Sequence, residues 1–489
     1  MKKVTVDPIT RLEGHGKIEI FVDDDNKVQN VYFQIPELRG FERFCVGRPV
    51  EELARITPRI CGVCPEAHHM AATKAIDQVF GVEVAPAGRK LRELLYNTFY
   101  VTDHTTHFYI LAGPDFIMGP ESDPAARNIL GVIGKVGMET AGAMIKLRAE
   151  AAEVIGMIGG KQIHPVCGLP GGVSQAITAE QRDRIVEVTA AQVEFAKFTL
   201  KLFDDVVLGN SAYVDLIKSD MFTHETYYMG MVDENNKVNF YDGKIRVVGP
   251  DGVEHEKFDG KDYLAHIAEH VEPYSYLVYP YLKSVGWKGF TDGKDSGVYR
   301  ASPLSRLNAA DGMATPLAQA EYERFYSTLG GKPVHATLAT HWARLVELLY
   351  AAERAHELAT DPEIIDPNVR NIPTRIVGEG VGVVEAPRGT LYHHYKTDDK
   401  GIVTNVNLIV GTTNNNAAIS MSLKKAAEGI LTGGNEIREG QLNMIEMAFR
   451  AYDPCFGCAT HTLPGDMPLE VTVKREATRD VVASVKRNM

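Results

Sequence analysis

Two pairs of cysteines, one near each end of the chain, are the residues whose types and spacing could do chemistry. The first pair lies in RICGVCPEAHH at 59–69, and the second lies in DPCFGCATH at 453–461. Each pair is a Cys-x-x-Cys followed within a few residues by a histidine. Thiolates are soft ligands that suit nickel, zinc, copper(I) and iron clusters, so the pattern predicts a metal site.

Spacing alone leaves several kinds of thiol site open. Zinc modules usually place their two knuckles about 15–20 residues apart, whereas these pairs stand at opposite ends of a long chain. A thioredoxin-like redox pair requires a βαβ context, which neither pair shows clearly. A four-cysteine iron–sulfur cluster remains compatible with the spacing. The remaining cysteines, Cys45 and Cys167, stand alone and are interpreted as small buried side chains.

The residues around both pairs resemble the large subunit of the nickel–iron hydrogenases. The resemblance extends over the whole chain and rests on R-x-C-G-x-C-x-x-x-H, on D-P-C-x-x-C-x-x-H and on TRLEGHGKIEI at 10–20. It implies that Cys61 and Cys455 are terminal nickel ligands and that Cys64 and Cys458 bridge nickel to iron. The other ligands of the iron would be CO and two cyanides. The implied activity is reversible heterolytic cleavage of H2 to protons and electrons.

The same resemblance assigns roles to residues around the metals. Glu13 in RLEGH would exchange a proton with Cys455. Arg388 in EAPRGTL would hang over the open metal position, held by the carboxylates of Asp103 and Asp453. His68 would donate a hydrogen bond to the sulfur of Cys458, whereas its neighbour His69 is expected to be structural.

Two further sets of ligand contacts follow from the resemblance. Pro387 and Thr412 would line the cyanides, although Gly411 stands where the family usually has proline. Near the C-terminal motif, Glu42, His461 and the backbone carbonyl of Leu408 would hold Mg2+ or Fe2+. Mg2+ binds through few protein ligands and several waters, so a sparse set is expected. His164 also resembles the family and is assigned no chemistry.

The elements that must position these residues suggest an α+β fold with a helical central bundle and peripheral β elements. GKIEIFV and KVQNVYFQI alternate in polarity and predict a hairpin in a β-rich part at about 1–50. Helix patterns dominate 66–205, with a capping box at Thr178 and Gln181 and another long helix over 122–158. Short strands are predicted at about 225–260, helices at 316–360 and 439–452, and a strand at 400–410. We interpret 1–461 as a single catalytic body.

Bulk properties exclude several classes of partner. The chain has 489 residues and a net charge of −12, which argues against binding to nucleic acid or to an anionic membrane. No apolar run reaches the roughly 18 residues of a transmembrane helix, and MKKVTVDPIT is not a secretory signal. Because the chain has no further cysteine cluster, electrons are expected to leave through a small subunit that carries iron–sulfur clusters.

Strings around both motifs are most similar to the cytosolic multimeric branch of the family. That branch includes methyl-viologen-reducing enzymes that feed heterodisulfide reductase, which we favour, besides deazaflavin-reducing and NAD(P)-linked enzymes. It implies a cytoplasmic location and further electron-transfer subunits. The alternatives are a zinc-stabilised structural or interaction protein and a non-catalytic hydrogenase-like subunit of a larger redox complex.

The chain continues past His461 with TLPGDMPLEVTVKREATRDVVASVKRNM. The resemblance implies that a maturation protease removes this extension, residues 462–489, after nickel-insertion proteins have loaded the metal. The alternative is a C-terminal strand that stays, since LEVTVK has the character of a strand.

Overall fold

A computed structural model describes residues 2–25, 27–432, 437–461, 469–474 and 481–487. Its helices are α1 (Phe41–Cys45), α2 (Leu53–Ile56), α3 (Pro65–Val79), α4 (Pro86–Thr106), α5 (Gly113–Ile117), α6 (Ile129–Gly159), α7 (Ala179–Phe203), α8 (Ser211–Lys218), α9 (Tyr263–His266), α10 (Pro303–Ala309), α11 (Pro316–Leu329), α12 (Thr340–Thr360), α13 (Asn416–Ile430), α14 (Glu439–Arg450) and α15 (Phe456–Ala459). Its strands are β1 (Lys2–Val6), β2 (Lys17–Val22), β3 (Val28–Gln34), β4 (Gly168–Leu169), β5 (Gly172–Val173), β6 (Tyr227–Val232), β7 (Lys244–Val248), β8 (Glu254–Phe258), β9 (Ile267–Val271), β10 (Val278–Leu282), β11 (Tyr299–Arg300), β12 (Glu379–Ala386), β13 (Gly389–Thr397), β14 (Val403–Ile409), β15 (Leu469–Lys474) and β16 (Val481–Arg487).

Long helices form the centre of the molecule, which confirms the predicted α+β class. Helix α12 packs between α4 and α7 and is buried along most of its length. It therefore lies in the core and has no single solvent-facing side. The predicted capping box opens α7, where the Thr178 hydroxyl accepts from the Gln181 amide and the Gln181 side chain accepts from the Thr178 amide. The other long helix begins at Ile129 rather than near 122, because Asn128 caps its first turn.

An antiparallel sheet of β12, β13 and β14 lies directly against α3. A β-carbon at Gly380 would lie 2.2 Å from the Ala75 carbonyl, and one at Gly382 would lie 1.9 Å from the Ala71 carbonyl. Only glycine permits this approach of strand to helix. The contact brings α3, which follows the first cysteine pair, against the hairpin that carries Arg388.

Further sheets surround this centre. The predicted N-terminal hairpin is β2–β3, and β1 adds a third antiparallel strand that the polarity pattern did not indicate. The strands expected at about 225–260 are β6, β7 and β8, joined by β11 parallel to β6. Strand β6 is buried at every position, so it lies inside the molecule although its sheet extends to the surface.

Within the described residues, no helix combines the length and apolar character that crossing a membrane requires. The predicted strand LEVTVK is β15, which pairs antiparallel with β16. The predicted cleavage site after His461 adjoins residues 462–468, which lie outside the described residues.

Candidate metal centre

The two cysteine pairs meet in the interior of the molecule. The sulfurs of Cys61, Cys64, Cys455 and Cys458 all lie within 4.8 Å of one another. Cys61 Sγ is 3.2 Å from Cys455 Sγ, and Cys64 Sγ is 3.5 Å from Cys458 Sγ. Hydrogen bonds from the other three thiols lower the pKa of Cys61 well below its ordinary value, whereas burial raises the pKa of Cys455 and Cys458. Four convergent buried sulfurs are the donor set of a soft metal.

Short local structures hold each pair of thiols. A 3-10 turn over Thr57–Ile60 ends at Cys61, and Cys64 directly precedes the first residue of α3. Cys455 and Cys458 stand before and within the short helix α15. The N-terminal loop pairs with this second motif, because the Phe456 amide donates to the Glu13 carbonyl at 3.0 Å. Both ends of the chain therefore contribute to one site.

The Glu13 side chain reaches the sulfur of Cys455. Cys455 Sγ donates to Glu13 Oε2 at 3.0 Å, and the Gly457 amide donates to the same oxygen at 2.8 Å. A β-carbon at Gly457 would lie 2.5 Å from Glu13 Oε1 and 2.6 Å from Arg39 Nη2. Glycine between the two cysteines thus leaves room for both side chains.

Arg388 lies at the tip of the β12–β13 hairpin and extends between two carboxylates. Its Nη1 donates to Asp103 Oδ2 at 3.0 Å, and its Nη2 lies 2.8 Å from Asp453 Oδ2. Arg344 lies 3.4 Å from the same Asp453 oxygen and also donates to the Pro387 carbonyl. Burial raises the pKa of both carboxyls, that of Asp453 to about 6, although the two arginines oppose the effect. The guanidinium is therefore held in one orientation.

His68 approaches the sulfur of Cys458 from α3. Its Nε2 lies 3.6 Å from Cys458 Sγ, and its Nδ1 lies 3.1 Å from His393 Nε2. Burial lowers the pKa of His68 to about 4, so the ring is neutral. His69 points elsewhere: its Nδ1–H donates to the Ala54 carbonyl and its Nε2 accepts from the Gly168 amide. Both of its ring nitrogens are thus engaged with backbone.

A small cavity adjoins the four sulfurs. The Thr412 hydroxyl accepts from the Cys455 amide at 3.0 Å, which leaves its own proton free to donate. The cavity lining includes the neighbours of Pro387 but not Pro387 itself, whose carbonyl accepts from Arg306 at 3.0 Å. The lining residues are Cys64, His68, Ala386, Arg388, Leu391, Val410, Gly411, Thr412, Cys455 and Cys458.

A second group of donors surrounds the last residue of the C-terminal motif. His461 Nε2 lies 2.6 Å from the Leu408 carbonyl and 3.8 Å from Glu42 Oε1, and its Nδ1 lies 2.7 Å from the Cys458 carbonyl. The imidazole nitrogen Nε2, a backbone carbonyl oxygen and a carboxylate oxygen converge here, and a sparse, mainly oxygen donor set of this kind fits a hard metal ion.

Several residues at the site were not singled out from the sequence. Arg39 donates to the carbonyls of Ile60 and Gly457, which directly precede Cys61 and Cys458. It lies in the same string, LRGFE, as Glu42, and that proximity is its only sequence signal. Arg344 and His393 carry no recognisable motif. Cys45 and Cys167 are buried, as expected, and His164 lies near Arg59 and Cys61.

Four buried thiols with a carboxylate at one sulfur and a guanidinium over the adjoining cavity define a metal-dependent redox centre. The nickel-dependent hydrogenase family matches residues 39–125 and 143–461, and a HoxL-like family matches residues 3–38. The chain therefore belongs to the nickel-dependent hydrogenases and is a large, catalytic subunit of that family.

Individual relatives agree with this assignment. The iron-sulfur subunit of an F420-non-reducing hydrogenase from Archaeoglobus profundus is 50% identical over 473 residues, which are 97% of each chain. The NAD-reducing hydrogenase HoxS subunit beta from Cupriavidus necator is 39% identical over 492 residues, 98% of each chain. A solved NAD+-reducing NiFe hydrogenase in the H2-reduced state superposes with a TM-score of 0.86 at 36% identity, covering 94% of this chain and all of that one.

Proposed function

We propose that Cys61, Cys64, Cys455 and Cys458 hold a nickel–iron centre whose iron carries CO and two cyanides. The observation that carries this proposal is the convergence of four buried sulfurs with a carboxylate 3.0 Å from one of them. A zinc ion would use the four thiols but would have no use for the adjoining cavity, which is largely apolar with a few hydrogen-bond donors. Thr412, with a free proton, and Arg388 supply donors suited to cyanide nitrogen, beside the apolar side chains of Ala386, Leu391 and Val410.

The centre, when bound, supplies the electron-accepting metal chemistry of H2 cleavage, and the side chains around it handle the proton. Glu13 takes the proton from the sulfur of Cys455, because its Oε2 already lies within hydrogen-bond reach. Glu13 is only partly buried, so it links the buried sulfur to the outside. Its second contact, from the Gly457 amide, keeps the carboxylate oriented towards Cys455.

Arg388 has a positioning and polarising role. A guanidinium stays protonated in proteins, so a fixed positive charge faces the cavity beside Cys64 and Cys455. Asp103 and Asp453 hold the guanidinium from two directions, so it needs to move little when the charge in the cavity changes. Pro387 sets the hairpin turn that presents Arg388, with its carbonyl anchored by Arg306.

Glu42, His461 and the carbonyl of Leu408 are proposed to bind Mg2+ or Fe2+. Through His461 this ion would secure the end of the motif that contains Cys455 and Cys458. We also propose that residues 462–489 are removed after the metals are loaded by nickel-insertion proteins and a maturation protease. The family match ends at residue 461, directly before the extension. The solved relative is matched over its whole length by 94% of this chain. Both observations support a mature chain without the extension.

We infer that a small subunit with iron–sulfur clusters docks over Cys61. Cys61 itself is buried, but Gly62 and Val63 beside it are exposed, and Ile163, next to His164, is 63% exposed. Along α6, Leu130, Met138 and Ile145 are more than half exposed. Apolar surface of this kind is typical of a protein interface. Electrons that leave the metal centre beside Cys61 would have a short path to a partner bound at this surface.

The relatives favour an F420-non-reducing complex with further electron-transfer subunits. F420-non-reducing hydrogenase subunits from Archaeoglobus profundus and Methanothermobacter marburgensis are 50% and 41% identical to the chain. We also propose a cytoplasmic location, in line with the F420-non-reducing and NAD-reducing relatives.

Metal analysis and infrared spectroscopy of the purified complex test the proposed centre. We expect one nickel per large subunit, iron in excess of nickel because the clusters of the small subunit also contain iron, and CO and cyanide stretching bands. Zinc alone would favour the structural alternative. A complex with no metal at the four cysteines and no H2 activity would favour a non-catalytic subunit.

A further inference from the structure

A line of hydrogen-bonded side chains runs from the sulfur of Cys458 into the β12–β14 sheet. Beyond the His68–His393 contact of 3.1 Å, His393 Nδ1 lies 2.5 Å from the hydroxyl of Tyr395. His393 and Tyr395 are two residues apart on β13 and therefore point to the same face of the sheet, towards α3. The side chains of these three residues and of Cys458 are all buried. We call Tyr395, His393 and His68 the histidine relay.

His68 Nδ1 and His393 Nε2 face each other at 3.1 Å, so one of the two nitrogens must present a lone pair to the N–H of the other. Both rings are buried, and their hydrogen-bond partners are each other, a sulfur and a phenol, so the relay consists of neutral imidazoles. A neutral imidazole has one N–H donor and one lone-pair acceptor. The protons along the relay must therefore all point the same way, either towards Cys458 or away from it.

The two ends of the relay select the same direction. A thiolate bound to metal would have no proton to donate, so Cys458 would only accept from His68 Nε2–H. His68 Nδ1 must then accept from His393 Nε2–H, and His393 Nδ1 must accept from the Tyr395 hydroxyl. The opposite arrangement requires a proton on the sulfur and leaves the phenol to donate to Thr57, which also hydrogen-bonds Tyr395.

We propose that Tyr395 is a positioning residue for the metal centre: through His393 it holds His68 in the tautomer that donates to the sulfur of Cys458. The proposal rests on the role of Cys458 as a nickel–iron ligand. A hydrogen bond to a thiolate withdraws charge from the sulfur and hence from the metal that the sulfur binds. The phenol thereby tunes the electron density at the iron although it lies three hydrogen bonds from the sulfur.

Infrared spectroscopy of the metal-loaded complex tests the relay independently of turnover. In Tyr395→Phe the histidines lose their fixed tautomer, so part or all of the hydrogen bond to Cys458 is lost. More charge on the sulfur increases back-donation from iron to CO, so the CO band should move to lower wavenumber or split. Tyr392→Phe is the matched control, because Tyr392 is buried on the same strand and its hydroxyl donates to Met229 Sδ. Its CO band should stay at the wild-type position.

A double-mutant cycle separates positioning from a merely structural role. In His393→Gln the amide can donate to His68 without help from a phenol, so adding Tyr395→Phe to this variant should not shift the CO band further. If Tyr395→Phe alone loads the metals poorly, the double variant should load them normally. Unchanged bands in loaded Tyr395→Phe, or the same defect with and without His393→Gln, would overturn the proposal. Absence of CO and cyanide bands from the wild-type enzyme would instead refute the nickel–iron assignment on which it rests.

Discussion

Glu13 is the residue whose chemistry can be isolated most cleanly. Glu13→Gln preserves size and can still meet the Gly457 amide, but it removes the group that takes the proton from Cys455. We expect nearly intact nickel and iron content with a loss of about a hundredfold or more in H2 turnover and in H/D exchange. Glu37→Gln is the control, because Glu37 pairs with the exposed His15. Loss of metal from Glu13→Gln would make Glu13 a structural residue.

Arg388 tests whether two carboxylates are needed to orient one cation. Lysine keeps the charge but lacks the planar fork, so Arg388→Lys cannot reach Asp103 and Asp453 together. We expect metal content to be retained and H2 turnover to fall by about a hundredfold. The control is Arg354→Lys on α12, which alters ion pairs with Glu93 of α4 and Glu357 of α12 and should leave turnover unchanged. Full activity in Arg388→Lys would show that charge alone suffices.

At the scale of elements, Arg39 joins the two loops that carry the cysteines. Its guanidinium donates to the carbonyls of Ile60 and Gly457, and its amide donates to the Thr460 carbonyl at 2.8 Å. Both bonds come from Nη2, so Arg39→Met, which removes the donor but keeps the length of the stem, should destabilise the closed site by about 2 kcal/mol. Faster nickel release to a chelator is the measurement, with Arg48→Met as control, because Arg48 is exposed and stacks on Phe44. Equal release rates would contradict the proposed bridge.

His69 connects three elements and makes their stability depend on pH. Burial lowers its pKa to about 4 from 6.5, so the folded chain holds the neutral ring. Below 6.5 the unfolded chain binds the proton more readily, so this stabilisation is complete above pH 6.5 and is lost as pH falls towards 4. We expect the difference in unfolding free energy between wild type and His69→Gln to shrink by up to about 3 kcal/mol between about pH 7.5 and about pH 4. Chemical denaturation at each pH measures the unfolding free energy. A difference that stays constant with pH would contradict a neutral, buried His69 ring in the folded chain.

At the scale of the whole molecule, we propose that removal of the C-terminal extension controls when the site closes. His461 and Cys458 lie within four positions of the proposed cut, so cleavage there would irreversibly commit the motif to the core. We predict that the mature, H2-active chain ends at His461 and that chain made without nickel keeps its tail through Met489. Intact-mass measurement checks both forms. Full-length mass with full activity would refute processing while leaving the hydrogenase assignment in place.

The sequence by itself determined the cysteine pairs and the major helices, because these depend on residues close together in the chain. Thr178 and Gln181 are three positions apart, and each cysteine pair lies within one motif. The β12–β13 hairpin was missed, because a strand buried on both faces shows no alternation and Gly380 and Gly382 weaken its signal further.

Only the tertiary structure decided which distant groups touch. His68 meets His393 across 325 positions, and Arg39 meets Gly457 across 418. Contacts of this kind depend on how a glycine-lined strand packs on α3 and how the N-terminal loop pairs with α15. No local pattern encodes them, since burial and partner choice arise when the whole core is assembled. The metal ligands and their immediate neighbours could therefore be proposed from motifs, whereas Arg39, Arg344 and His393 became visible only in the fold.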